Sequence, residues 1–154
     1  MKLNQRELPL VNFRRVLPEF LGPGGECFLE VDARPGGSIN PAYIAGAEAL
    51  MLRGSVAQRR LERETDDEAY VSQGYKAAQE ITLERLGLLY DACVIEWRTN
   101  IQDDGKDLVC DRANFLALCE ARVPEIAEAV ADLEGALVEA ADDVDASDKA
   151  TEKN

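Results

Sequence analysis

The sequence predicts a mainly α fold, a small helical domain with a short N-terminal strand or hairpin and a disordered acidic tail. Three observations carry that expectation. Helix-start signals recur at Asn40-Pro41, Thr65-Asp66-Asp67-Glu68, Asp111 and Pro124. Apolar residues return at intervals of three or four behind them. Two-residue alternation makes one stretch, residues 27–34, the best strand candidate. The expected organisation is an N-terminal arm over residues 1–25, one helical domain over 26–141 and a tail over 142–154.

The arm alternates short apolar groups with Pro9, Pro18 and Pro23, which rule out a long helix there. An extended arm, or a short strand with a turn, fits better. Phe13 and Phe20 would drape it on the core; docking on another subunit is the alternative. In the alternating stretch Cys27, Leu29, Val31 and Ala33 share one face, and Glu30, Asp32 and Arg34 lie on the other. Pro35-Gly36-Gly37-Ser38 then reads as a plain turn, since no Gly-Lys-Ser/Thr follows to make it a phosphate loop.

Asn40 followed by Pro41 caps a helix whose apolar side draws on Ala42, Tyr43, Ile44, Ala47, Ala49, Leu50, Met51 and Leu52. Beyond Gly54 the helical pattern continues with a basic face, Arg53, Arg59, Arg60 and Arg63. That face reads as solvated or paired with the acidic half of the chain rather than as a phosphate site. Thr65 as N-cap with Glu68 three positions on gives a capping box for the next helix. Its stripe is Val71, Tyr75, Ala78, Thr82, Leu86, Leu89, Cys93 and Trp97. Ile81, Leu88, Ala92 and Ile95 broaden the stripe, so this helix should touch two neighbours, while Gly74 and Gly87 weaken it.

Residues 93–119 read as a hinge between helices: an apolar segment reaching the only tryptophan, an Asp103-Asp104-Gly105 turn, and a restart capped by Asp111. The acids Asp103, Asp104, Asp107 and Asp111 lack the spacing of a calcium loop, and a turn with a cap accounts for them. Pro124 opens a last amphipathic helix with Val123, Ile126, Val130, Leu133 and Leu137 on one stripe. Glu125, Glu128, Asp132, Glu134 and Glu139 lie largely away from it. Residues 142–154 show no apolar periodicity and are expected to be disordered.

Composition bounds the function. The 154 residues carry a net charge of −13 and no histidine. Residues 1–63 hold nine basic against seven acidic side chains, and the remainder eight against twenty-three. An acidic chain of this kind makes a poor nucleic-acid or membrane ligand and a good solubiliser. The four cysteines form no C-x-x-C pair and there is no histidine, so no zinc site is expected, and with no glycine-rich cofactor loop no other cofactor is expected either. With no signal sequence at the N-terminus, they read as reduced thiols of a cytoplasm. No apolar run is long enough to cross a bilayer. No nucleophile stands at a known spacing from a base, so a binding role is expected rather than an enzyme.

Val94-Ile95-Glu96-Trp97, Asp103-Asp104-Gly105-Lys106 and Cys110-Asp111-Arg112-Ala113-Asn114-Phe115-Leu116-Ala117-Leu118 together resemble the tail assembly chaperones of long-tailed bacteriophages. Phe28-Leu29-Glu30-Val31, Pro35-Gly36-Gly37 and Asn40-Pro41-Ala42-Tyr43 look like the N-terminal part of the same family, so the resemblance covers roughly residues 26–140. It implies a phage- or prophage-encoded protein of the host cytoplasm that binds the tape-measure protein, helps recruit tail-tube subunits, and is absent from the mature virion. Such a protein needs no cofactor, and a homo-oligomer is compatible with the resemblance. On this reading Leu89, Cys93, Trp97, Phe115, Leu116, Ile126, Val130 and Leu133 bind the partner; packing in the domain's own core is the other use for them. The alternative function is a virion structural protein, a tail or head-tail connector component whose N-terminal arm contacts neighbouring subunits.

Overall fold

The computed structural model describes residues 8–152. Strand β1 (Val11–Leu17) leads through a single 3-10 turn to β2 (Cys27–Ala33), and two long helices follow, α1 (Pro41–Glu62) and α2 (Asp67–Cys93). The chain continues directly into β3 (Val94–Thr99), then a two-residue-stranded hairpin, β4 (Gln102–Asp103) and β5 (Lys106–Asp107). Helices α3 (Arg112–Glu120) and α4 (Pro124–Glu152) complete it.

The mainly α expectation holds, with more strand than a single strand or hairpin. β1, β2 and β3 form an antiparallel sheet in that order, with β2 at its centre. Alternation in β2 does what the sequence implies: Cys27, Leu29, Val31 and Ala33 are buried against the helices. The opposite face is polar. Asn12 donates to Glu30 and Asp32 at 3.1 and 2.8 Å, and Arg98 reaches Asp32 at 2.9 Å. The Asn12 hydrogen bonds, followed by those from Arg98, hold both carboxyl groups below the usual range. Phe13 packs against the core, whereas Phe20, expected to do the same, is 73 % exposed on the 3-10 turn.

The first correction concerns Trp97. It does not continue the α2 stripe, because the helix ends at Cys93 and Trp97 sits on β3, its Cα partnered with Val31. A spacing of four positions brings residues 93 and 97 to one face under a helical period and equally under the two-residue period of a strand. Val94, Ile95, Trp97 and Thr99 are β-branched or aromatic, and a waiting central strand decides the matter. Residues 93–119 are therefore not a hinge between two helices but a strand, a small hairpin and α3. Asp104 and Gly105 turn that hairpin with φ of 49° and 74°, the left-handed pair that a two-residue connection requires.

The second correction moves a cap by one residue. Asp66, not Thr65, begins α2, its Oδ1 accepting from the N–H groups of Glu68 and Ala69 at 2.9 and 3.2 Å. α2 then runs unbroken through Gly74 and Gly87. The third concerns the tail: α4 extends to Glu152, so residues 142–152 are helical, and 153–154 lie outside the described residues. Once the first turns of α4 are docked, adding residues such as Ala146 and Ala150 costs little, with no Gly or Pro beyond Gly135 to stop propagation. Ala141 anchors this extension, buried against Gly37.

One core joins these parts. Trp97 is 1 % exposed, meets Phe115 edge-on at 5.5 Å between centroids, and donates from Nε1 to the Asp111 carbonyl at 3.1 Å. Asp111 also caps α3, accepting from the Asn114 N–H at 2.8 Å. The α4 stripe of Ile126, Val130, Leu133 and Leu137 closes the core from one side. Asn40 fastens the long helices to it. Its Oδ1 caps α1 at the Tyr43 N–H, and its Nδ2 donates to the carbonyls of Pro35 and Ala92, both at 3.0 Å.

Candidate protein-interaction surface

Helices α1 and α2 form an antiparallel hairpin that reaches beyond this core. α1 has no buried residue, and the buried residues of α2 are Leu86, Gly87, Leu89 and Cys93, all near its C-terminal end. The seam between the helices sets a glycine against a branched side chain at successive levels. Gly46 faces Leu88 so closely that a methyl group there would collide with it. Further out, Gly54 faces Ile81 and Gly74 faces Leu61, where an added Cβ would sit 3.8 and 3.9 Å away. Such pairing brings the backbones close while leaving little apolar area to bury, so the remaining faces of both helices stay open.

The α2 stripe has an open part as well as a covered one. Val71 and Tyr75 are 68 % and 60 % exposed, although Leu86, Leu89 and Cys93 of the same stripe are covered. Where α2 overhangs the end of α3, Tyr75, Ala78, Thr82, Leu83, Cys119 and Arg122 line a groove of about 490 Å³. Arg122 holds its outer edge. It turns the chain between α3 and α4 at a φ of 54°, and its guanidinium donates to the Tyr75 hydroxyl at 3.2 Å. Burial pushes the Cys119 thiol up to about 11, so at neutral pH it is a protonated, apolar wall rather than a nucleophile.

The residues expected to bind a partner are brought together, but as the core. Leu89, Cys93, Trp97, Phe115, Ile126, Val130 and Leu133 are buried, and burial likewise raises the Cys93 thiol to about 11. Leu116 is half-buried at the edge of a second recess that also includes Gly46, Leu50 and Leu88. In this conformation Val71 and Tyr75 of the overhanging stripe are open to solvent instead. Val71, Tyr75 and Ala78 were legible as apolar; what the α2 stripe itself lacked was any sign that the core ends near Leu86. α1 does carry such a sign. It is apolar on two opposite faces, whereas a four-residue connection to α2 lets only one of them pair within the hairpin.

Among the described residues no group of three or more Cys, Asp or Glu side chains is placed to hold a metal ion. None of the described helices is long and apolar enough to cross a membrane. The groove offers apolar contact, with Glu120 and Arg122 as the charged side chains of its lining. No protein-family model matches the chain, and neither does any curated protein or solved structure.

Proposed function

We propose that this chain is a tail assembly chaperone of a long-tailed bacteriophage, acting without catalysis in the host cytoplasm. Its client on this reading is the tape-measure protein, and its bound state recruits tail-tube subunits. The reading rests on the sequence resemblance over residues 93–119 and 26–43. The observation that carries it is the overhanging groove lined by Tyr75, Thr82, Leu83 and Cys119, with Val71 continuing the apolar stripe.

An amphipathic client helix would lay its apolar face along that stripe, contributing a side chain every three or four residues. Each Val or Leu fully covered stabilises by about 1.5–3 kcal/mol. Association costs about 4–15 kcal/mol, so a single groove holds a client weakly. Shielding a long helical client then falls to several copies bound along its length, which suits a protein that must come off again. The net charge of −13 keeps such an assembly soluble.

Co-expression with the tape-measure protein tests the proposal. The client is expected in the soluble fraction with the intact chain and in the pellet when Tyr75→Ser and Leu83→Ser are combined. A client equally soluble without this chain sinks the chaperone reading. Purified virions should lack the protein, and fixed stoichiometry there would make it a structural component.

A further inference from the structure

The outer face of α1 is distinct from the groove and lies on the opposite side of the hairpin. Ala47, Leu50, Gly54, Ala57 and Leu61, at alternating spacings of three and four, are half-buried in the seam with α2. Ala45, Ala49, Leu52 and Val56 repeat the same rhythm on the far side and are exposed. Leu52 is 69 % and Val56 42 % accessible. At about 3.6 residues per turn, the two sets are separated by roughly half a turn of the helix. An exposed stripe that repeats a packing stripe calls for a second helix.

We propose that this face pairs with the same face of a second copy, antiparallel about a two-fold axis between residues 53 and 54. The argument is the placement of charge. Glu48 and Arg59 are eleven positions apart, close to three full turns, so they occupy the same flank of the stripe at equal distances from that axis. Two-fold antiparallel pairing sets Glu48 of each copy against Arg59 of the other, forming two equivalent ion pairs. Neither side chain has an ion-pair partner among the described residues.

The same register brings Leu52 of one copy to within one residue of the level of Val56 of the other, twice. Parallel pairing about a two-fold axis would instead put the two copies of this flank on opposite sides of the contact, where Glu48 and Arg59 do not meet, so the charges select the antiparallel arrangement. Arg53 comes near its own copy on the other flank, but Glu84 on α2 pairs with it at 2.9 Å and offsets that repulsion. Nothing bulky obstructs the approach. Ala45 and Ala49 are small, and Ala42 at the base of α1 is also exposed, so the tip of the second hairpin has room to lie down.

Sedimentation equilibrium of the full chain over a wide concentration range provides the test. A monomer–dimer equilibrium is expected, weakened at least tenfold by Leu52→Glu, with unchanged circular dichroism because the site is exposed. Glu48→Arg and Arg59→Glu should each weaken the dimer, and the double reversal should restore it. A chain that stays monomeric at millimolar concentration overturns the proposal. So does a dimer indifferent to Leu52→Glu, and so does a double reversal that fails to restore pairing. Client solubilisation reads a different face, so loss of that activity in Tyr75→Ser leaves this result standing.

Discussion

Along α2 the same apolar repeat runs from Val71 to Cys93, and its two ends live in different surroundings. The C-terminal end is closed over by β3, α3 and α4, with Leu89 and Cys93 almost inaccessible. The N-terminal end projects past the body with Val71 and Tyr75 open to solvent. Residue type and spacing barely change between them. What changes is whether another element passes overhead, and the body supplies such an element only as far as α3 reaches. An amphipathic stripe therefore states that a helix has a sticky face and leaves open whether its own chain or another molecule covers that face.

Substitutions at the two ends sharpen this contrast. The largest effect is expected in the covered region, where Trp97→Ala removes a buried ring packed on Phe115 together with its hydrogen bond to Asp111. Denaturant unfolding should show a loss of about 3–5 kcal/mol. A loss below about 1 kcal/mol would mean that the body is not built round this ring. Next comes the seam that carries the arm. Gly46→Val forces a side chain into Leu88, and overpacking there should cost about 1–3 kcal/mol. Amide exchange along the outer turns of α1 and α2 should accelerate in that variant; unchanged exchange would show that the helices are not closely seated. The smallest effect belongs to the open end of the stripe. Val71→Ala should change stability by no more than about 0.5 kcal/mol, while Leu89→Ala on the same stripe costs about 2–5 kcal/mol. Equal losses at the two positions would erase the distinction between arm and body.

Much of the fold was legible because it rests on local chemistry. Asn40-Pro41 and Asp111 start helices where their side chains can take a backbone N–H, and β2 alternates because one of its faces is core. The α4 stripe was legible for the same reason. At residues 65–68 several cap-competent side chains stand together, so the pattern located the turn but the choice of Asp66 over Thr65 depended on backbone geometry. Trp97 was misread because a four-residue spacing satisfies both helical and strand periods. The tail was misread because an acidic segment with no apolar periodicity of its own becomes helical by extending a docked helix. On the candidate surface Val71, Tyr75, Ala78 and Thr82 were legible as one stripe, but their exposure and the places of Leu83 and Arg122 beside them were not.

The sequence by itself determined where helices begin, which side chains form each stripe, and the acidic character of the C-terminal half, because capping, periodicity and charge act within a few residues. Tertiary structure decided that Val94–Thr99 becomes a strand, that Trp97 and Phe115 meet in the core, and that the stripe on α2 is covered at one end only. These outcomes depend on contacts between segments far apart in the chain, such as Val31 with Trp97 and Tyr75 with Arg122. Local spacing can show that a residue is apolar and which way it faces; what lies opposite it is settled only when distant segments come together.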